Sequence, residues 1–200
     1  FHPREPEQLH GCLAELGLNP GGYFLCVGTL EPRKNLVQAL RAHALLPEAL
    51  RKRFPLLIAG MAGWRSDCFA AELQAALASG HVRLLGYQSD QTLAELLAGA
   101  RLLLFPSLYE GFGLPVLEAM ASGVPVLLSP QSALPEVAGP AGVYLEAGDD
   151  QGWSEAIIRL VEDEAEWQRH RTMGLQQAQQ FSWKRCATIT TAAYRQALEH

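Results

Sequence analysis

Six short apolar runs, each separated by a stretch of helical periodicity, constrain this chain more than any other feature of it. The runs lie at 23–28, 56–60, 82–85, 102–105, 126–129 and 143–145. They read as apolar stretches and not as alternating ones, which predicts strands buried on both faces. Helical patterns fall at 36–46, 67–79, 91–98, 115–122 and 153–162, with two more at 164–180 and 182–198. Strand-helix alternation of this kind predicts an α/β fold: a doubly wound, Rossmann-like parallel sheet of about six strands with helices on both faces. No repeat or low-complexity linker divides the 200 residues, so one domain is expected over 1–200, with 1–21 as a leading segment.

In such a sheet, ligands bind beyond the carboxyl ends of the strands, where the strand order reverses. Three strand ends carry unusual chemistry. The fullest is "PSLYEGFGLPVLEAMASGVPVLLS" at 106–129, with Glu110 and Glu118 eight positions apart. Pro115 suits the first turn of a helix, and Gly123 with Pro125 suits its end. Gly111 and Gly113 let the backbone turn and approach a ligand without a Cβ in the way. The amides of Phe112, Gly113 and Leu114, at the positive end of the helix dipole, make a cradle for an anion. A carboxylate on either side of that cradle accepts hydrogen bonds from hydroxyl groups. A molecule with phosphates in the middle and hydroxyls at both ends, such as a nucleotide-sugar, satisfies all of these groups.

The second strand end reads "VGTLEPRKNL". After Gly28 and Thr29, Pro32 stiffens the loop, and Arg33 with Lys34 offers a planar fork and a compact charge able to neutralise a diphosphate. Neither the G-x-x-x-x-G-K-[ST] loop nor the G-x-G-x-x-G fingerprint is present. A solvated turn, with Glu31 pairing one of the bases and Asn35 capping the helix, is the plainer alternative. The third strand end, "VRLLGYQSD", places Gly86, Tyr87 and Gln88 in a loop that suits a nucleobase through backbone groups. Ser89 or Asp90 then caps the next helix.

Charge and cysteine usage narrow the partners. A net charge of −5 and a pI near 5.7 argue against nucleic acid, which needs a basic footprint, and against anionic membranes. No apolar run reaches the ~18 to 20 residues of a membrane span. The four cysteines form no C-x-x-C pair, and the six histidines show no metal-ligand spacing. Reduced thiols, a cytoplasmic location and no metal are therefore expected. The chain opens on Phe1 and not on methionine, so it is expected to be part of something longer.

The motif set resembles a known family. "EGFGLPVLEAMASGVPV" is similar to the E-x7-E signature of retaining glycosyltransferases of the two-domain GT-B type, in their largest nucleotide-sugar-using family. "GTLEPRKN", "GYQSDQTLAELLAGARLLLFPS" and "SALPEVAGPAGV" follow the same family in order, and the likeness covers about 22–198. The pattern looks closest to bacterial mannosyltransferase-like enzymes of surface polysaccharide assembly. The resemblance implies that this chain is the carboxyl-terminal, donor-binding half of a GT-B fold. It implies that Glu110 holds hydroxyls of the donor hexose and Glu118 those of the ribose. Arg33 and Lys34 would stabilise the departing diphosphate, Phe112, Gly113 and Leu114 would bind the distal phosphate or sugar, and Gly86, Tyr87 and Gln88 would line the base. Many relatives carry Gly-Arg after the first strand, where this chain has Gly28-Thr29. The resemblance further implies a GDP- or UDP-linked donor, no metal or other cofactor, and a glycan or lipid-linked acceptor bound by an amino-terminal domain. Peripheral membrane association of the full enzyme is compatible with it. The segment 182–198 would cross back to that domain, and the half alone is expected to lack transfer activity, because acceptor alignment comes from elsewhere.

Two other classes remain at this point. A non-catalytic nucleotide-sugar-binding module would keep the same residues and show no turnover. A glycoside hydrolase would use Glu110 and Glu118 as its carboxylate pair, roughly 5 to 10 Å apart, but would leave the cradle and the basic loop without a task.

Overall fold

The computed structural model describes residues 1–64 and 69–198. Its six strands are β1 (Phe24–Val27), β2 (Leu56–Ala59), β3 (Val82–Gly86), β4 (Leu102–Phe105), β5 (Val126–Leu128) and β6 (Val143–Tyr144). All pair in parallel, in the order β3-β2-β1-β4-β5-β6. The order reverses between β1 and β4, so the crevice beyond their carboxyl ends is the switch point of the sheet.

The continuous apolar runs serve two cores by alternation. Leu25, Leu57, Leu103 and Phe105 face one cluster; Phe24, Cys26, Leu56, Ile58, Leu102 and Leu104 face the other. The first cluster is closed by α1 (Pro6–Glu15), α5 (Asp90–Gly99), α6 (Leu114–Ala121), α7 (Leu134–Ala138) and α9 (Glu164–Ala178). The second is closed by α2 (Leu36–Ala44), α4 (Ala70–Ala78) and α8 (Asp150–Glu162), with Phe54 just beyond α3 (Glu48–Arg53). Each fully buried Leu or Ile contributes about 1.5–3 kcal/mol relative to exposure, so both layers are needed to hold so thin a sheet.

Three helices depart from the sequence expectation. α1 lies within what was read as a leading segment, yet its Leu9 and Leu13, one turn apart, are buried against α5. The short α3 and α7 arise between strands where no helical period is long enough to register. The start of the helix expected at Asp67 lies outside the described residues; α4 runs from Ala70. α8 begins at Asp150, earlier than its apolar pattern, because the Asp149 carboxylate accepts from the Gly152 amide at 2.9 Å.

The last helix, α10 (Trp183–Leu198), buries none of its residues. Trp183 is 80% exposed and Tyr194 69%.

Candidate functional site

The site is assembled from two loops at the switch point. After β1 the chain passes through Gly28, whose φ of 142° lies in the region that favours glycine. Residues beyond it are fastened sideways to the loop after β2. Leu30 donates to the Met61 carbonyl at 2.8 Å, and the Gly63 amide donates back to Leu30 at 3.1 Å. A Cβ at Gly60 would collide with the Gly28 carbonyl oxygen, so only glycine lets the two loops close. Pro32–Lys34 then forms one 3-10 turn, ended by Asn35 at a left-handed φ of 49°. Asn35 occupies the cap position of α2 but makes no side-chain capping bond.

The loop after β4 comes to meet this turn. The Leu108 amide donates to the Arg33 carbonyl at 2.7 Å, and Arg33 Nη1 donates to the Tyr109 carbonyl at 3.2 Å. Glu110 is thereby placed over both cations. Lys34 Nζ donates to its Oε1 at 2.6 Å, and Arg33 Nη1 to its Oε2 at 3.2 Å. Glu110, Arg33 and Lys34, singled out in the sequence for the donor sugar and the diphosphate, thus form one ion-paired cluster. Lys34 also stands 5.2 Å over the Phe105 ring, and it lines a small cavity with Gly28, Thr29, Pro106 and Ser107. Thr29 itself is exposed on the rim.

Three supporting contacts had no signal in a motif. Glu31, 7% exposed, accepts from Arg33 Nη2 at 2.8 Å and from the Trp64 indole N–H. Its pairing with one of the bases was among the sequence alternatives; the Trp64 donor was not. Ser132 Oγ accepts from the Glu110 amide at 2.8 Å, from a backbone with φ of 50°. Ser129 Oγ donates to the Ser107 carbonyl at the base of the same loop.

Downstream of Glu110, Gly113 takes a φ of 102° and starts α6 with Pro115 in its first turn. Gly111 shows neither a positive φ nor a neighbour within 4 Å of a Cβ, so the turn rests on Gly113 alone. Among the described residues, the amides of Phe112, Gly113 and Leu114 donate to no protein acceptor, and their N–H groups are available to an anion. The Phe112 ring meets Phe181 edge-on at 5.8 Å, which braces the cradle against the end of α9.

Glu118 sits one turn into α6, half-buried. Burial pushes its carboxyl above the usual range, with the nearby Asp90 carboxylate acting in the same direction. Asp90 opens α5 directly after the 86–88 loop, so Glu118 and that loop belong to one end of the site. There Gly86 has a φ of 70°, Tyr87 is 70% exposed, and Gln88 Nε2 donates to the Leu85 carbonyl at 2.8 Å. Ser89, and not Asp90, caps α5, accepting from the Thr92 amide at 3.1 Å. Along the chain, Glu110 of the Arg33, Lys34 and Glu110 cluster precedes the cradle, and Glu118, with Asp90 near it, follows it. The carboxylate of Glu110 is committed to two cations, an arrangement that gives a hydrolytic acid-base pair no support. Among the described residues, no three His, Cys, Asp or Glu side chains gather to hold a metal ion, and no helix is long and apolar enough to cross a membrane.

Comparison with known proteins adds to this geometry. Residues 15–179 match the model of a family described as glycosyl transferases group 1. The chain is 42% identical over 196 residues to O-antigen chain mannosyltransferase B of Escherichia coli, covering 98% of this chain and 51% of that protein. It is 32% identical over 184 residues to the serotype-specific mannosyltransferase WbdA of Escherichia coli, covering 90% of this chain and 22% of that one. The chain therefore spans about half the length, or less, of these curated relatives. Among solved structures, the fold matches Anabaena Alr3699/HepE in complex with UDP and glucose at a TM-score of 0.83. Identity there is 20%, over 100% of this chain and 54% of that one. It also matches the C-terminal domain of a group 1 family glycosyl transferase, LpcC, from Francisella tularensis at a TM-score of 0.75. In that case identity is 21%, over 90% of this chain and 94% of the other.

Proposed function

The chain belongs to the group 1 glycosyl transferases, and from that premise we propose that its switch-point crevice holds a nucleoside-diphosphate hexose for transfer with retention of configuration. The observation that carries the proposal is the convergence of Arg33, Lys34 and Glu110 in one ion-paired cluster beside the amides of Phe112, Gly113 and Leu114. Arg33, Lys34 and the cradle amides hold the diphosphate. Glu110 receives hydroxyls of the hexose. Glu118 receives the ribose hydroxyls, and the backbone of Gly86, Tyr87 and Gln88 lies along the base, with Gly28 and Thr29 beside the phosphates.

In the reaction, the bond from the hexose anomeric carbon to the distal phosphate oxygen breaks, leaving its electron pair on that oxygen. The acceptor hydroxyl oxygen bonds the anomeric carbon on the same face, and its proton passes to the departing phosphate. Negative charge grows on the diphosphate as the bond opens, and preorganised cations and amides stabilise that growth without moving. The proposal assigns this task to the protein groups alone, with no metal ion.

GDP-mannose is the first donor to try, because two relatives are named mannosyltransferases; UDP-glucose is the second. We extend the proposal to the acceptor, a glycan or lipid-linked saccharide of surface polysaccharide assembly. It is presented by a second domain against which the exposed face of α10 packs, and the isolated chain accordingly binds donor without transferring it. Isothermal titration with GDP, UDP, GDP-mannose and UDP-glucose, without added metal, is the test. Binding of one base series, lost in Glu118→Ala, supports the proposal; no binding of any of the four overturns it.

A further inference from the structure

Arg33 and Lys34 are not a free positive pocket. Lys34 Nζ is 2.6 Å from one oxygen of Glu110, and Arg33 reaches the other at 3.2 Å while its second terminal nitrogen lies on Glu31 at 2.8 Å. Two carboxylates therefore balance two cations, and the Glu110 side chain is only 8% exposed. Lys34 is also confined: the Phe105 ring lies to one side, and a Cβ on Gly28 would stand 3.2 Å from its Cε. A diphosphate that engages Lys34 must do so in competition with a buried anion already in contact with it.

We infer that Glu110 competes with the diphosphate for Lys34 and Arg33, and that this competition makes the site favour a sugar-linked diphosphate over a bare one. The inference rests on the donor-site proposal above. When a diphosphate takes Lys34, the Glu110 carboxylate loses its nearest cation and, being buried, needs new donors. The hydroxyls of a linked hexose supply them. A bare nucleoside diphosphate supplies none, and it carries additional negative charge on the oxygen that held the sugar. Like charges at such separations repel, most strongly where water is excluded. The donor thus exchanges one set of partners for another, whereas the spent nucleotide leaves the oxygen of Glu110 that held Lys34 without a replacement. Recapture of Lys34 by Glu110 then drives the nucleotide out. The residue that receives the hexose is also the residue that favours release of the product.

The test is a graded series read by isothermal titration: the native chain, Glu110→Asp and Glu110→Gln, each with GDP, UDP, GDP-mannose and UDP-glucose. Removing one competing charge is worth about tenfold in affinity, the low end for close, largely enclosed charge pairs. Glu110→Gln is expected to bind the bare diphosphate about tenfold more tightly than the native chain. The matching nucleotide-sugar is expected to bind it no better than the native chain. Glu110→Asp, which withdraws the carboxylate by one methylene, is expected to fall between the two. Circular dichroism and melting temperature identify any variant that fails to fold. Should Glu110→Gln fail, Glu110→Asp decides alone, by a tightening of about threefold for the bare diphosphate. Equal weakening of both ligand types, or unchanged affinity for the bare diphosphate, overturns the inference while leaving the donor site standing. Absence of binding to the native chain overturns the donor-site proposal, and this inference with it.

Discussion

Lys34 and Glu118 carry different parts of the proposed site, and each can be removed separately. Lys34 is the more enclosed of the two cations, with 16% of its side chain exposed against 40% for Arg33. In the proposed site its charge serves the phosphates and not the nucleoside. Lys34→Ala is expected to cost about 1–3 kcal/mol of affinity for the nucleoside diphosphate, as for a lost charge-assisted bond, and little for the free nucleoside. Titration with both ligands checks this, and equal losses would remove the phosphate role. Glu118→Ala is expected to weaken nucleotide binding by about 1–3 kcal/mol as well, but through the ribose, so nucleoside and nucleotide suffer alike. Its carboxyl is raised by burial above the ordinary 4.5. The ionised form that accepts two hydroxyls is therefore lost on acidification earlier than an ordinary carboxylate would lose it. Nucleotide affinity should fall on acidification as Glu118 protonates, at a higher pH than in Glu118→Gln, and a pH profile identical in the two proteins would contradict the ribose role. The sign for folding is the reverse. A raised carboxyl pKa means the ionised Glu118 weakens the fold above its folded pKa, and that cost is relieved as pH falls through it.

At the scale of elements, the fold is held where helices meet strand ends. His43, in the last turn of α2, is buried with its Nε2 3.0 Å from the Phe54 carbonyl, which ties α2 to the turn into β2. Burial lowers its pKa from 6.5 to about 4, and the charges of Arg51 and His81 act in the same direction. Between those values the unfolded chain takes up a proton that the folded chain refuses. Stability should thus fall by about 3 kcal/mol as pH drops through this window, with no further loss from His43 below it. Urea denaturation at pH 7 and pH 4.5, compared with His43→Gln, measures that share. A variant that loses as much stability as the native chain would show that other groups carry the acid sensitivity. The same scale explains what the sequence disclosed. All six strands were legible: Leu102–Phe105 and Leu56–Ala59 are apolar at every position, and Val82–Gly86 registered although it carries Arg83. α1 was not, since its helical signal consists of Leu9 and Leu13 alone within a polar stretch; nor was α7, five residues opened by a proline. In the site, Glu110, Glu118, Arg33 and Lys34 were legible because the strand-end rule and their spacing single them out. Trp64 and Ser132 were not, because they act across 33 and 22 residues of chain through single hydrogen bonds that no local pattern encodes.

The whole molecule is a closed α/β body with one helix outside it. α10 contributes nothing to either core, although its apolar residues Trp183 and Tyr194 lie on one stripe. Truncation after Phe181 keeps the edge-on contact with Phe112 and is expected to leave the melting temperature within about 2 °C and nucleotide affinity unchanged. A large fall in melting temperature would show that the helix packs on this body in solution. Every role proposed for the site requires a nucleotide-sugar to lie across the β1–β4 switch point along the start of α6. The most direct measurement is a crystal structure of the chain grown with GDP-mannose or UDP-glucose. The account predicts the diphosphate between Lys34 and the amides of Phe112, Gly113 and Leu114, the ribose at Glu118, and the hexose on Glu110. A nucleotide bound away from the switch point, or with its phosphates remote from Arg33 and Lys34, would contradict it.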